Sequence, residues 1–197
     1  NKINGLDREV VGNIFPKVTG GFSSTLSWKG ISLYARFDYA LGHTLYNDLA
    51  ARTLGQYQGA FNIITEVKDM WSEDNPNSDL PAFYYADQLA KKNITRSNNA
   101  SASRHNNSSR LYEKADYLAL RELTLSWDLP KAWTSKAFIQ NASVYVTGQN
   151  LFYVTGYTGT SPEPVLTNSD NNENLYGVDQ GRYPTPRTVL FGLSVTF

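Results

Sequence analysis

Antiparallel all-β structure built from strands of membrane-spanning length is the fold class this sequence predicts, and three observations predict it. The first is Thr188 to Phe197, where Val189, Phe191, Leu193, Val195 and Phe197 share one face and Thr188, Leu190, Gly192, Ser194 and Thr196 the other. Period-two alternation is the signature of a strand, because successive side chains point to opposite faces. The second is length. A strand of about ten residues rises roughly 33 Å, and a tilt of about 40° brings that close to the ~25 Å apolar band of an outer-membrane barrel. The third is the sorting of connections. Counted back from the carboxyl end they run long (153–187), short (130–141), long (43–116) and short (29–30). Bacterial outer-membrane barrels put their long loops outside the cell and their short turns inside.

Composition agrees and excludes several alternatives. Acidic and basic residues number 18 each, for a formal net charge of +0, so no field attracts nucleic acid and no nucleic-acid partner is expected. Aromatic residues make up 13%, with 13 Tyr and 4 Trp, while mean hydropathy is -0.43. That pairing fits apolar residues spread by alternation and diluted by polar loops. No run approaches the ~18 apolar residues of a transmembrane helix, so any spanning must be by strands. The absence of cysteine rules out disulfides and thiolate metal sites. The chain opens on the polar Asn1-Lys2-Ile3-Asn4-Gly5, which is no secretion signal.

Taken in order, residues 1–19 are rich in turn signals (Asn4-Gly5, Gly12-Asn13, Phe15-Pro16) and read as a loop. A first strand is expected over 20–28, with Phe22, Leu26 and Trp28 on one face. After Lys29-Gly30, a second runs over 31–42 with the cleanest alternation in the chain. Ile31, Leu33, Ala35, Phe37, Tyr39 and Leu41 oppose Ser32, Tyr34, Arg36, Asp38 and Ala40. Two such strands about a short glycine turn make a hairpin.

Residues 43–116 break the pattern. Tyr46, Leu49, Ala50, Thr53, Leu54 and Tyr57 have helical spacing, which predicts an amphipathic helix over about 45–57 with Thr44 as N-cap. Ser72 to Pro81 is acidic and turn-rich, and Ser97 to Arg110 reads as polar surface loop. A connection this long belongs in a compact domain only if it is functional. The exposed aromatics expected in the long loops are Trp71, Tyr84, Tyr85, Tyr153 and Tyr157.

A third strand is expected over 118–129, where Leu123, Leu125, Trp127 and Leu129 alternate with Glu122, Thr124, Ser126 and Asp128. Pro130 to Gln140 reads as a short connector with a helical turn, anchored by Trp133 and Phe138. The fourth strand covers 142–150 and the fifth 188–197, with a Gly/Pro/Asn-rich loop over 153–187 between them.

The second half also resembles a known family. Tyr117-Leu118-Ala119-Leu120-Arg121-Glu122-Leu123-Thr124-Leu125-Ser126-Trp127-Asp128-Leu129-Pro130 is similar to a block near the end of SusC/RagA-type TonB-linked outer-membrane transporters. Val144-Tyr145-Val146-Thr147-Gly148-Gln149-Asn150-Leu151-Phe152 resembles the next block. Gly177-Val178-Asp179, Tyr183-Pro184-Thr185-Pro186-Arg187-Thr188, Phe191-Gly192 and Phe197 resemble the last. Pro16 to Phe22 and Gly30 to Leu33 also fit. Ala119 and Asp128 depart from the family, which more often has a basic and an aromatic residue there.

The resemblance implies the C-terminal five antiparallel strands of a plugged barrel of about 22 strands, with long extracellular loops (1–19, 43–116 and 153–187) carrying a short helix. It implies TonB-powered import of oligosaccharides or peptides across the bacterial outer membrane, beneath a SusD-like surface lipoprotein. Five strands leave two raw edges in lipid, where each unpaired backbone group costs several kcal/mol. The remainder of the barrel and the plug are therefore expected as partners, in a longer chain or in a second one. The TonB complex would engage through the N-terminal part, which these residues do not include.

Residue chemistry adds little beyond the barrel. His43 and His105 read as solvated loop residues, and a metal site needs more ligands. Asp170, Asn172 and Asn174 mimic half a calcium loop, but Leu175 stands where glycine is needed. Asn-x-Ser/Thr patterns such as Asn93-Ile94-Thr95 and Asn141-Ala142-Ser143 are chance matches in an outer-membrane protein. Arg36, Asp38 and Glu122 are candidates for the lumen face, as ion pairs within the wall or to the plug. Trp28, Tyr39 and Trp127 share the lipid-side face and are candidates for an aromatic girdle. Phe191, Leu193, Val195 and Phe197 are candidates for the strand that signals assembly. No enzymatic chemistry and no cofactor are expected. The competing reading is a soluble or surface-attached β-sandwich that binds glycans, with the alternation forming an ordinary core.

Overall fold

The structure, a computed structural model, describes residues 8–56, 62–80, 109–164 and 176–197. Eight strands are described: β1 (Val18–Trp28), β2 (Ile31–Leu41), β3 (Thr44–Asn47), β4 (Tyr112–Lys114), β5 (Tyr117–Asp128), β6 (Asn141–Thr155), β7 (Val178–Asp179) and β8 (Thr188–Thr196). Two single-turn helices, α1 (Asp48–Ala51) and α2 (Lys131–Thr134), accompany them. The chain divides into two compact units.

The first unit, Pro16–Gly42, Asp116–Gly156 and Pro184–Phe197, is one antiparallel sheet in the order β1-β2-β5-β6-β8. Strands adjacent in the sheet follow one another along the chain of this unit, so the sheet is a meander. The β1–β2 turn contains only Lys29 and Gly30, both left-handed at φ 47 and φ 84. A two-residue loop with both centres at positive φ matches the right-handed twist of a hairpin. Asp128 N–H donates to the Gly30 carbonyl, tying the turn to β5.

Leu118 and Leu120 are out of phase with Leu123, Leu125 and Trp127, and the sheet resolves this with a bulge. Arg36 faces Glu122 while Phe37 faces Leu120, so Arg121 is an extra residue on β5. Opposite it, Asn150 and Leu151 are extra on β6, with Asn150 at φ 52. Inserting residues restores the phase, and the leucines of both halves share one face. The bulge also carries β6 past the expected end at 150, on to Thr155.

Two faces result. One carries Phe22, Leu26, Trp28, Ile31, Leu33, Phe37, Leu125, Trp127, Val144, Phe152, Val189, Phe191 and Leu193, set side by side by the registers. Most of these are exposed, Phe191 to 83%. The other carries Ser, Thr, Tyr and the charged residues. On it Tyr145 lies across Gly192, and a Cβ at 192 would run into the ring.

The second unit gathers residues from 8–15, 43–115 and 157–183. In it β3 pairs antiparallel with β4 and parallel with β7. Leu45, Ala115 and Tyr157 form one apolar cluster, and Tyr46, Ala51 and Leu111 another. This corrects the helix expected over 45–57. Thr44 is the start of a strand rather than an N-cap, because β3 has backbone partners on both sides. Asn47 is the cap instead, its Oδ1 accepting from Ala50 N–H at 2.9 Å, and the turn widens into a π-helical Arg52–Gln56. Tyr57 lies outside the described residues. Elsewhere β1 begins at Val18 rather than 20, and β2 ends at Leu41 because Gly42 turns to φ 85.

Candidate functional site

The polar face of the five-stranded sheet is organised by the bulge. Arg121, lifted out of the ladder, makes a bidentate pair with Asp38: Nε to Oδ1 at 2.6 Å and Nη2 to Oδ2 at 3.0 Å. Its Nη1 donates to Tyr153 Oη at 2.9 Å and to Asn150 Oδ1 at 3.4 Å. The guanidinium also lies 5.3 Å from the Tyr153 ring centre. A planar fork suits a carboxylate and an aromatic ring at once, which lysine cannot imitate. Beside this hub Arg36 and Glu122 approach at 3.9 Å, and Thr124 bridges to Thr147 at 2.8 Å.

The structure thus brings Arg36, Asp38 and Glu122 to one face of the sheet, within two adjacent strands. Trp28, Tyr39 and Trp127 lie on the opposite, apolar face. Trp28 and Trp127 flank Ile31 at the short-turn end, while Tyr39 is near the other end of β2. Leu193 and Val195 share the face of Phe191, and Phe197 is exposed just past β8. Arg121 was not singled out by the sequence reading, although the break in leucine spacing beside it marks the bulge.

The second unit has a polar core of its own. Asp179 is 2% exposed and accepts from Tyr157 Oη at 2.8 Å, Thr160 N–H at 3.1 Å, Thr160 Oγ1 at 3.0 Å and Gly181 N–H at 3.0 Å. Burial, the hydrogen bond to Asp179 and the nearby negative charge push the Tyr157 phenol well above its ordinary range. Glu113 accepts from Asn47 Nδ2 and from Thr158 N–H and Oγ1, each at 2.9 Å. Arg52 holds Asp48 at 2.6 Å.

Three loop expectations are corrected here. His43 is no solvated residue: it is 1% exposed, its Nε2 donating to the Pro162 carbonyl at 2.8 Å. Tyr157 is buried in the apolar cluster, and Tyr153 belongs to β6 and packs edge-on against Tyr117. Trp71 is exposed. Tyr84, Tyr85, His105 and the Asp170–Asn174 stretch lie outside the described residues. Among the described residues no group of three or more acidic or histidine side chains is arranged to hold a metal. No helix there is long and apolar enough to cross a membrane, which says nothing of crossing by strands.

Comparison with known proteins agrees with this geometry. No protein-family model matches the chain. TonB-dependent receptor P3 of Formosa agariphila is 31% identical over 199 residues, covering 100% of this chain and 18% of the receptor. TonB-dependent receptor P26 of the same organism is 30% identical over 192 residues, covering 97% of the chain and 18% of the receptor. Among solved structures, the RagAB peptide importer in the closed-closed state superposes with TM-score 0.70 at 28% identity, over 95% of this chain and 18% of that one. Its open-open state gives 0.63 over 92% and 17%. The chain therefore spans about a fifth of the length of the proteins it matches.

Proposed function

We propose, since the chain belongs to the SusC/RagA type of TonB-dependent receptor, that it forms part of the barrel wall of a bacterial outer-membrane transporter. The whole protein imports oligosaccharides or peptides by TonB-driven transport, capped by a SusD-like lipoprotein, with the rest of the barrel and a plug completing the pore. The observation that carries the reading is the sheet with one broad exposed apolar face and one polar face. A β-sandwich would need that apolar face covered by a second sheet, whereas a barrel wall presents it to lipid.

In this reading Arg36, Asp38 and Glu122, joined by Arg121, face the lumen. Trp28, Tyr39 and Trp127 belong to the interfacial girdle. Phe191, Leu193, Val195 and Phe197 form the lipid side of the strand that guides assembly. The long loops 43–116 and 153–187 are extracellular in this reading, and Trp71 within them is exposed. The polar core of the second unit, built on Asp179 and Glu113, holds binding loops in place.

The test is uptake by cells carrying the intact transporter. Labelled oligosaccharide or peptide should accumulate only while TonB is present, and affinity purification of the receptor should bring down a lipoprotein. Uptake that persists without TonB, with a receptor that purifies alone, would overturn this function.

A further inference from the structure

The short-turn half of the polar face holds an aromatic ring that the wall reading leaves without a task. Tyr145 is 42% exposed, whereas Tyr34, Tyr117 and Tyr153 on the same face are buried or half-buried. Its Cζ, Oη and Cε1 fill the space that a Cβ at Gly192 would take, so the ring lies down against the backbone of β8. One side of the ring is seated on glycine and the other is open. Ser32, Ser126, Tyr145 and Gly192 face one another across four strands. On either side along the same face, Ser143 faces Ser194 and Thr147 faces Leu190. The ionised pairs of the hub begin only two rows away, where Arg36, Glu122 and Gln149 align. In the opposite direction Asp128, paired with Ser143, places one carboxylate at the strand end.

We propose that Tyr145 is a stacking station for a pyranose ring of a neutral oligosaccharide moving along the wall. An aromatic ring held flat offers an apolar surface to the C–H face of a sugar, whose hydroxyls then need partners at the rim. Ser126, Ser143 and Ser194 supply hydroxyls that donate or accept, and Asp128 supplies an acceptor. Leu190 extends the apolar patch beside the ring, 45% exposed. A peptide would bring a terminal carboxylate, and these three rows of the sheet hold no lysine or arginine to receive it. The inference rests on the transport reading above and narrows its cargo to oligosaccharide.

The experiment follows uptake of radiolabelled neutral hexasaccharides (glucan, mannan and xylan) and of hexapeptides by cells carrying the intact receptor, with and without TonB. Tyr145→Leu keeps an apolar cover over Gly192 but removes the ring. It should raise the half-saturating concentration of the accumulated sugar by about two- to tenfold, the contribution of one aromatic contact, at normal surface level. Tyr145→Phe should leave it unchanged. An unaltered value in Tyr145→Leu refutes the station, while uptake through TonB keeps the transport reading standing. Entry of vancomycin into Tyr145→Leu cells would show that the ring holds the plug instead, which also refutes it. Peptides accumulating in place of every sugar would overturn the sugar assignment alone. If nothing accumulates through TonB, the station falls with the transport reading. A second measurement needs no substitution: a diazirine-bearing form of the accumulated sugar, photolysed during uptake, should label residues 143–147 or 190–194. Labelling confined to other parts of the receptor would refute the station.

Discussion

Replacing Phe37 with arginine should damage the protein far more than removing the arginine beside it. Phe37 is six residues beyond Ile31 on β2, so about 20 Å along the strand and about 15 Å along the membrane normal at a tilt of ~40°. That puts it near the middle of a ~25 Å apolar band whose edge is marked by Trp28 and Trp127. A charge there costs roughly 2–4 kcal/mol. The substitution also removes the stack of Phe37 on Phe22, at 5.0 Å between centroids and 16° between planes, which contributes about 0.5–1.5 kcal/mol. The sum is roughly 2.5–5.5 kcal/mol. Arg36, by contrast, meets Glu122 at 3.9 Å with its side chain 56% exposed, a pair that contributes about 0–1 kcal/mol. Urea titration of the intact receptor refolding into vesicles, followed by heat-modifiable gel migration, measures both. Equal losses for Phe37→Arg and Arg36→Ala would show that the two faces are assigned the wrong way round.

Asp38→Ala leaves the Arg121 fork without its carboxylate and should destabilise the wall by about 1.5–3 kcal/mol, read in the same titration; no change would make the hub incidental. Asp179→Ala strips the acceptor from Tyr157, Thr160 and Gly181, and should make the second unit sensitive to protease while gel migration of the barrel stays normal. The raised Tyr157 pKa stabilises the folded unit fully below about pH 10, the usual phenol value, and that contribution fades as pH rises beyond it. Hydrogen exchange of residues 157–160 should therefore accelerate above that pH in the wild type, and the rise should be blunted in Tyr157→Phe. Phe197→Asp should lower surface levels of the receptor without affecting molecules already assembled, and undiminished levels would count against an assembly role.

The sheet was largely legible because β2 and β8 alternate without interruption, so period two alone separates their faces. β5 was harder. Leu120 and Leu123 are out of phase, and only the paired insertions at Arg121 and Asn150 explain how one face stays apolar. Local pattern could not reveal the hub, since Asp38 and Arg121 are 83 residues apart. The second unit was misread for the same reason. Thr44 to Asn47 is strand because of backbone partners on distant segments, and no side-chain period records them. His43 looked solvated because its acceptor, Pro162, is 119 residues further on. Asn47 and Glu113, 66 residues apart, make sense only once both reach the same core.

Where β2 gives way to its long excursion, the ladder is already closed. Ala40 pairs with Tyr117, and Gly42 N–H donates to Asp116 Oδ1 at 2.6 Å. Whatever lies between residues 42 and 116 is thus stitched off at its base, and the strands do not depend on it for alignment. Lengthening such a closed loop adds only about 0.6 kcal/mol per doubling. Evolution can therefore exchange or enlarge the excursion as a cassette while the five strands keep their alignment. A chimaera that joins Gly42 to Asp116 through a foreign insert would inherit the wall unaltered.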